Sequence, residues 1–287
     1  MKAPRRSRSR DVRIRLLTAD DRTELDALIS RDPITHCFVA ARLASGNFDA
    51  WSIGGEVFGA YEDDRLVSAL YAGANLIPIE TTDASRELFA NQLRKNGRRC
   101  SSMVGEADEV LALWSALESK WGPARDVRAN QPLLVMDRDP SVPVDGQVRA
   151  VRIGELDTLL PACIAMFTEE VGISPISGGA QAAYRARIAE LIASGQAFAR
   201  FDDAGVVFKA EVGAATKDVC QVQGVWVRPE LRGQGLGTPG MAAVVALARA
   251  TIAPTVSLYV NHYNDAARAM YDRVGFTLHS TFATILF

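Results

Sequence analysis

The stretch that most constrains this chain of 287 residues is a loop in which three glycines alternate with other residues, Arg232-Gly233-Gln234-Gly235-Leu236-Gly237. Ahead of it, residues 219–227 read as an apolar strand. Behind it, from about residue 236 to 251, runs an alanine- and valine-rich stretch that suits a helix. Glycines without a Cβ let the backbone approach a ligand and turn successive N–H groups into one concavity. The helix behind adds its unpaired N–H donors and the positive end of its dipole. Pro239 costs little in the first helical turn, where its missing N–H would have no partner. The loop therefore predicts a phosphate or pyrophosphate site. A dinucleotide fingerprint needs a third glycine where Thr238 stands and an acid about 20 residues on, yet no Asp or Glu occurs before Asp265. A P-loop needs a Gly-Lys-Ser/Thr ending, which is absent.

The rest of the second half supplies a framework for this loop. Residues 148–153 alternate as a strand, 155–167 and 181–192 read as helices, and 197–201 and 206–212 as strands joined by an Asp-Asp-Ala-Gly turn. After the loop and its helix come a strand at 255–260, a helix at 264–274 stopped by Gly275, and closing strands at 276–278 and 282–287. The order is β-α-α-β-β-β-α-β-α-β-β, an α+β (α/β-like) fold with a mixed sheet and helices on both faces.

The segment 137–147, with Pro140, Pro143, Gly146 and several charges, reads as a linker. On each side of it an alternating strand leads into an amphipathic helix, at 12–17 and again at 148–153, which hints at two related halves. Residues 1–11 read as a disordered basic tail carrying Lys2, Arg5, Arg6, Arg8 and Arg10. Without those five the balance is 27 basic against 34 acidic side chains, −7, so a surface that coats nucleic acid is not expected. The longest apolar run, 241–248, is far below the roughly 20 residues that span a bilayer, and no secretory h-region follows the tail. Cys37, Cys100, Cys163 and Cys220 are scattered without ligand spacing, so neither a metal site nor a disulfide framework is expected. Cytoplasmic residence follows by default, and nothing signals an oligomeric state.

Downstream of the loop stand Ser257-Leu258-Tyr259-Val260, a short gap, and Asn264-Asp265-Ala266-Ala267-Arg268-Ala269-Met270-Tyr271-Asp272-Arg273-Val274-Gly275-Phe276. Loop and block together resemble the GNAT superfamily of acetyl-coenzyme A-dependent N-acyltransferases over residues 148–287. The family's loop reads Q/R-x-x-G-x-G/A, matched here by Arg232, Gly235 and Gly237. The block is similar to its strand, Asn-x-x-Ala-x-x-x-Tyr helix and closing Gly-Phe. The resemblance implies that the backbone of Val225, Trp226 and Val227 pairs with the pantetheine arm. It implies that Gly233, Gln234, Gly235, Leu236, Gly237 and Thr238 hold the pyrophosphate, that Asn264 (with Asn261 a weaker candidate) contacts the arm, and that Tyr271 protonates the departing thiolate. A backbone N–H near Val225 would serve the oxyanion.

For the base, alternation along 208–213 sets Lys209 and Glu211 on one face of a strand and Phe208, Ala210 and Val212 on the other, making Glu211 the strongest candidate. Glu169 and Glu170, beside the irregular 171–175 segment, are the alternative at a substrate mouth. Tyr259 stands where some relatives carry an acid.

Residues 12–136 read as a degenerate GNAT-like domain, with a strand at 66–73, a helix at 84–93 and a joining segment at 74–83 that lacks a glycine cradle. Glu80 and Asp83 at that helix start would satisfy its dipole and repel a pyrophosphate, so no coenzyme A is expected there. The whole resembles an actinobacterial tandem arrangement, an unassigned domain before an acetyltransferase domain. The expected activity is transfer of an acyl group from acetyl-coenzyme A to a primary amine of a small molecule or protein by direct attack on the thioester, without a metal. The alternative is a catalytically silent coenzyme A-binding regulatory or scaffold protein. His36 next to Cys37 is not expected to act as a nucleophilic pair, because adjacent side chains project apart.

Overall fold

The computed structural model describes residues 12–44 and 48–287; the basic tail lies outside the described residues. Two compact units emerge. The first comprises residues up to Gln131 together with Thr281–Phe287, the second Pro132–Ser280.

In the first unit the elements follow the order β1 (Val12–Leu16), α1 (Arg22–Ile29), α2 (Cys37–Ala44), α3 (Ala50–Ile53), β2 (Gly55–Glu62), β3 (Arg65–Gly73), β4 (Asn75–Ile79), α4 (Asp83–Asn96), β5 (Ser102–Glu106), α5 (Ala107–Trp121) and the start of β6 (Asp126–Met136). The sheet runs β1-β2-β3-β4-β5, and β5 then pairs with the end of a strand numbered β12 (Thr277–Leu286). Alternation sends Val57, Tyr61, Ala69, Tyr71, Ile77 and Ile79 toward α1, α2 and α3. Ala60, Leu70, Leu76, Met103, Ala283 and Ile285 face α4 and α5 instead.

The second unit contains β7 (Arg149–Ala150), α6 (Leu156–Val171), α7 (Gln181–Ala193), β8 (Ala197–Asp202), β9 (Gly205–Ala215), β10 (Val219–Val227), α8 (Gly237–Thr251), β11 (Thr255–Tyr259) and α9 (Asp265–Val274). Its sheet runs β7-β8-β9-β10-β11 and then the later part of β6, which pairs with β11 from Met136 to Leu133. Helices α6 and α7 cover one face, with Ala197, Ala199, Val206 and Trp226. Helices α8 and α9 cover the other, with Phe208, Ala210, Val212, Val256 and Leu258. Both units are thus mixed sheets with helices on both faces, as the sequence pattern implies.

Two local expectations change. The closing strands at 276–278 and 282–287 are one continuous strand, β12, because 279–281 contains neither glycine nor proline to turn the chain. The joining segment 74–83 contains a strand, β4, whose Leu76–Ile79 pair with Ala72–Ala69 of β3; Pro78 is accommodated there although it can donate nothing to the ladder.

The two openings share more than a strand and a helix. Arg15 donates to Asp21 at 2.7 Å, and Asp21 also accepts the Thr18 N–H at 2.8 Å. Arg149 donates to Glu155 at 2.8 Å, and Glu155 also accepts the Arg152 N–H at 2.8 Å. Each guanidinium lies over an aromatic ring, Arg15 over Tyr61 at 4.5 Å and Arg149 over Phe201 at 5.4 Å. Each ring sits at a register slip in its hairpin. The same clamp, built at six-residue spacing in both units, fixes where the first strand hands over to the first helix.

The Arg149 guanidinium, with the Arg152 N–H, holds the Glu155 carboxyl at about 2 against an ordinary 4.5, despite burial acting the other way. A carboxylate depressed in the folded state stabilises above the unfolded pKa, and that stability is lost as pH falls through the folded one. Arg149→Met is therefore expected to cost about 0.5–1 kcal/mol at neutral pH, the scale of a half-exposed pair. The gap in Tm between variant and wild type should close as pH falls from 5 toward 2, measured by thermal unfolding across that range.

Candidate functional site

Strands β10 and β11 run parallel but pair at only three positions, Val219↔Thr255, Cys220↔Val256 and Gln221↔Ser257, and then part. On its other edge β10 pairs with β9, but the register slips between Gln223 and Trp226. Gly224 sits in that slip at φ +62°, a bulge conformation that suits glycine. From Val222 to Val227, β10 thus has no strand ladder on the β11 side. The parted strands leave backbone hydrogen-bonding groups facing a cleft, where an extended ligand could take the place of the missing strand.

A polar floor supports the bulge. Lys209 is 1% exposed and its Nζ lies 3.1 Å from Glu211 Oε2 and 3.6 Å from Cys163 Sγ. Gln223 Nε2 donates to the other Glu211 oxygen at 3.0 Å. A Cβ on Gly224 would stand 3.0 to 3.2 Å from Met166, Lys209 and Glu211, so the bulge rests directly on this group. Burial alone would lower the Lys209 pKa, but Glu211 and Cys163 outweigh it and the net direction is upward, which keeps the ammonium charged. Glu211, singled out in the sequence as a base, is 7% exposed and has both oxygens engaged.

Beyond β10 a short turn, Pro229–Leu231, leads into the glycine loop. Gly233 and Gly235 take φ of +76° and +79° with open space beside both. Leu236 stands at the N-cap of α8 and offers no side-chain cap, so the first-turn N–H donors of α8 are not taken by a capping group. Arg232 turns back to donate from Nε to the Val227 carbonyl at 2.9 Å and from Nη2 to Glu169 at 2.8 Å. Gln234 donates to the Glu230 carbonyl at 3.2 Å. Behind the loop, Gly240 lies so close to Phe208 of β9 that a Cβ would stand 2.9 Å from its ring, which seats the start of α8 against the strand.

The opposite rim is formed by the end of β11 and by α9. Asn264 caps α9, accepting the Ala267 N–H at 3.1 Å. Tyr271 is 6% exposed, its ring 5.7 Å from that of Phe276, and its hydroxyl makes no hydrogen bond to any described residue. Burial, and then the charge of Glu170, push its pKa upward. Helix α6 spans the cleft's mouth at its C-terminal turn. There Glu169 accepts from Trp226 Nε1 of β10 at 3.3 Å and from Arg232, while Glu170 accepts from Asn261 Nδ2, just past β11, at 3.2 Å. Val225, Val227 and Tyr271 belong to one apolar cluster, Trp226 and Arg232 of the 232–238 loop both meet Glu169, and Asn264 caps α9. Gln223 belongs to the polar floor and escapes the sequence reading, although two glutamines, Gln221 and Gln223, inside a mostly apolar strand are the signal that could have marked it. Asn261 meets Glu170 rather than open space.

Residues 183–276 match the family model described as "Acetyltransferase (GNAT) family", and residues 55–159 match "Domain of unknown function (DUF4081)". Residues 183–276 form a GNAT-family domain. No curated protein matches the chain. Among solved structures, a GNAT acetyltransferase from Colwellia psychrerythraea is 14% identical, with 96% of this chain and 99% of that one covered and a TM-score of 0.56. A GCN5-related N-acetyltransferase from Sphaerobacter thermophilus is also 14% identical, covering 96% and 95%, with a TM-score of 0.60. A tandem GNAT protein from the clavulanic acid biosynthesis pathway is 14% identical, covering 96% and 98%, with a TM-score of 0.53. At such identities these likenesses show the GNAT fold over nearly the whole chain. No helix among the described residues is long and apolar enough to cross a membrane.

The first unit treats the corresponding place differently from the GNAT domain. Its parallel pair β4–β5 is shorter still, matched at Asn75↔Ser102 and Leu76↔Met103. The segment between β4 and α4 forms no glycine cradle. Thr82 caps α4 through the Ser85 N–H at 3.2 Å, the Thr81 N–H is taken by Glu109 at 2.7 Å, and Arg86 bonds the Thr81 carbonyl at 2.7 Å. Glu80, at φ +53°, turns to His36 Nε2 at 3.4 Å instead of the helix, while Asp83 stands in the first turn of α4 as expected and Thr82 supplies the cap. Burial lowers the His36 pKa in spite of Glu80.

Removing one partner of the Lys209–Glu211 pair strands a buried charge. Lys209→Met is expected to cost about 3–5 kcal/mol. The double variant Lys209→Met/Glu211→Leu should recover most of that, as read by urea unfolding midpoints of wild type, single and double variants.

Proposed function

We propose that this chain is an acetyl-coenzyme A-dependent N-acyltransferase that acylates a primary amine by direct attack on the thioester. The observation that carries the reading is the parting of β10 from β11 over an uncapped glycine loop, with the Tyr271 hydroxyl on the facing helix. The residues present fit the cofactor. Gly233 to Thr238 offer backbone N–H groups at the uncapped start of α8 for a pyrophosphate. Val225, Trp226 and Val227 offer the ladder that β11 does not use, for a pantetheine arm, and Asn264 stands on the facing rim. When bound, acetyl-coenzyme A supplies an acyl group already activated as a thioester.

The protein's own groups then divide the work. The Val225 N–H, freed from the β9 register by the bulge, stabilises negative charge developing on the carbonyl oxygen. Tyr271, as a phenol, carries its proton at neutral pH and gives it to the departing sulfur. Lys209, Gln223 and Glu211 hold the bulge in place, so the oxyanion donor is fixed before the acceptor arrives.

Thiol release from acetyl-coenzyme A across amino acids, polyamines, aminoglycosides and lysine peptides tests the reading. Tyr271→Phe is expected to lower kcat by about 100-fold, the scale of one general acid, with acetyl-coenzyme A affinity nearly kept. Gly235→Ala, strained by about 1 kcal/mol at positive φ, should weaken acetyl-coenzyme A binding while Tm shifts little. If acetyl-coenzyme A binds but wild type releases no thiol with any amine, the chain is a coenzyme A-binding regulatory or scaffold protein instead.

A further inference from the structure

The turn between β4 and α4 of the first unit, residues 80–82, is held from three sides. Glu80, at φ +53°, takes a backbone conformation that few residues with a side chain adopt. Its carbonyl accepts from the buried Ser68 hydroxyl of β3 at 2.8 Å. Arg86 of α4 donates to the Thr81 carbonyl at 2.7 Å. Glu109, in the first turn of α5, accepts the Thr81 N–H on Oε1 at 2.7 Å. Its other oxygen, Oε2, is sealed from solvent and has no hydrogen-bond partner among the described residues. An ionised carboxylate with one dry, unbonded oxygen is strongly unfavourable to bury, whereas a neutral carboxyl is far less so. Arg86, the cation that acts on Glu109, is already bonded to the Thr81 carbonyl and to Asp83.

We propose that Glu109 is a proton-operated latch on the 80–82 turn: it enters the folded first unit as a neutral carboxyl, and losing its proton loosens the turn. With the proton on Oε2, Oε1 still accepts the Thr81 N–H, and α5 stays tied to the turn that starts α4. When the O–H bond breaks, the proton passes to solvent and the electron pair stays on Oε2, where only water can stabilise it. Reaching water draws the carboxylate from Thr81, and the strained Glu80 backbone loses a neighbouring anchor. Burial pushes the Glu109 carboxyl up to about 7 from an ordinary 4.5, with the charge of Glu80 adding to it and the Thr81 N–H and Arg86 acting against it. Glu80 in turn faces His36 Nε2 at 3.4 Å and Arg31 at 3.8 Å, both from the segment between α1 and α2. Asp32 and Glu106 act on His36, and Asp108 shares the first turn of α5 with Glu109. Burial holds His36 below its ordinary 6.5, so its ring is neutral where Glu109 titrates. An acid raised in the folded state contributes stability that is complete below its unfolded value and is lost as pH rises through the folded one.

The experiment compares the full chain as wild type, Glu109→Gln and Glu80→Gln by thermal unfolding from about pH 5 to pH 8. Glutamine keeps an oxygen for the Thr81 N–H and replaces Oε2 with a group that does not ionise. The Tm of wild type is expected to fall relative to Glu109→Gln as pH rises from 5 toward 7, and the gap to level off above that. In NMR of protein labelled at the glutamate carboxyl carbons, one resonance that is missing from Glu109→Gln should titrate near 7. In Glu80→Gln the same midpoint should move down, because a like charge is gone. The exchange protection of the Thr81 amide should fall above that midpoint. A Tm gap indifferent to pH, a Glu109 carboxyl that titrates near 4.5, or Thr81 protection that ignores the titration overturns the latch. Should Glu109→Gln fail to fold, Glu109→Asp removes the same labelled carbon and makes the assignment, and the carboxyl midpoint with Thr81 protection in wild type decides.

Discussion

A parallel pair of strands that stops pairing is the constraint from which the second unit's site follows. Parallel strands bury their hydrogen bonds on both sides of a sheet, and a ladder abandoned partway leaves donors and acceptors that must be satisfied by something else. Here β10 leaves β11 after Gln221 and at nearly the same point slips its register against β9. The slip needs Gly224, and Gly224 needs a floor that tolerates no side chain above it, which Lys209 and Glu211 provide. Residues 228–236 carry the chain from the parted end of β10 to the start of α8, so the parting and the glycine loop lie on one continuous segment.

How much of this is legible in the sequence depends on how local each signal is. The glycine loop, the Asn264 cap and the Gly275 stop are short-range features whose residue types admit few conformations, and each stands where its residues imply. The Lys209–Glu211 alternation is visible too, but its burial is not. Which face of β9 meets α6 is a tertiary fact, and a charged pair on a strand reads the same whether solvated or sealed beneath a bulge. The Glu170–Asn261 bond joins residues 91 positions apart, beyond the reach of any local pattern. Strand β12 reads as two strands because its exposed half, Leu278 included, interrupts the apolar run without a turn residue to justify the break.

The two units show one framework built out differently at the same place. Both carry the arginine–acid clamp, the hairpin slip and a parallel pair that parts early. They diverge within a few residues at the start of the helix after the parting. In the GNAT domain that helix begins bare, behind glycines in open space. In the first unit Thr82, Ser85, Glu109 and Arg86 consume the same donors and acceptors internally. The Thr81, Thr82 and Ser85 N–H groups are each engaged there, with the carboxylates of Glu80, Asp83 and Glu109 in or beside the same turn.

The strand that completes the first unit's sheet comes from the far end of the chain, with Phe282–Leu286 lying along Glu106–Ser102 of β5. On the ribosome, β5 emerges long before its neighbour exists. Until those last residues are translated, the β5 edge and the apolar faces of α4 and α5 wait with Ala283, Ile285 and the Phe287 ring missing from their core. The first unit's sheet therefore cannot be completed before all of Pro132–Ser280 has been translated.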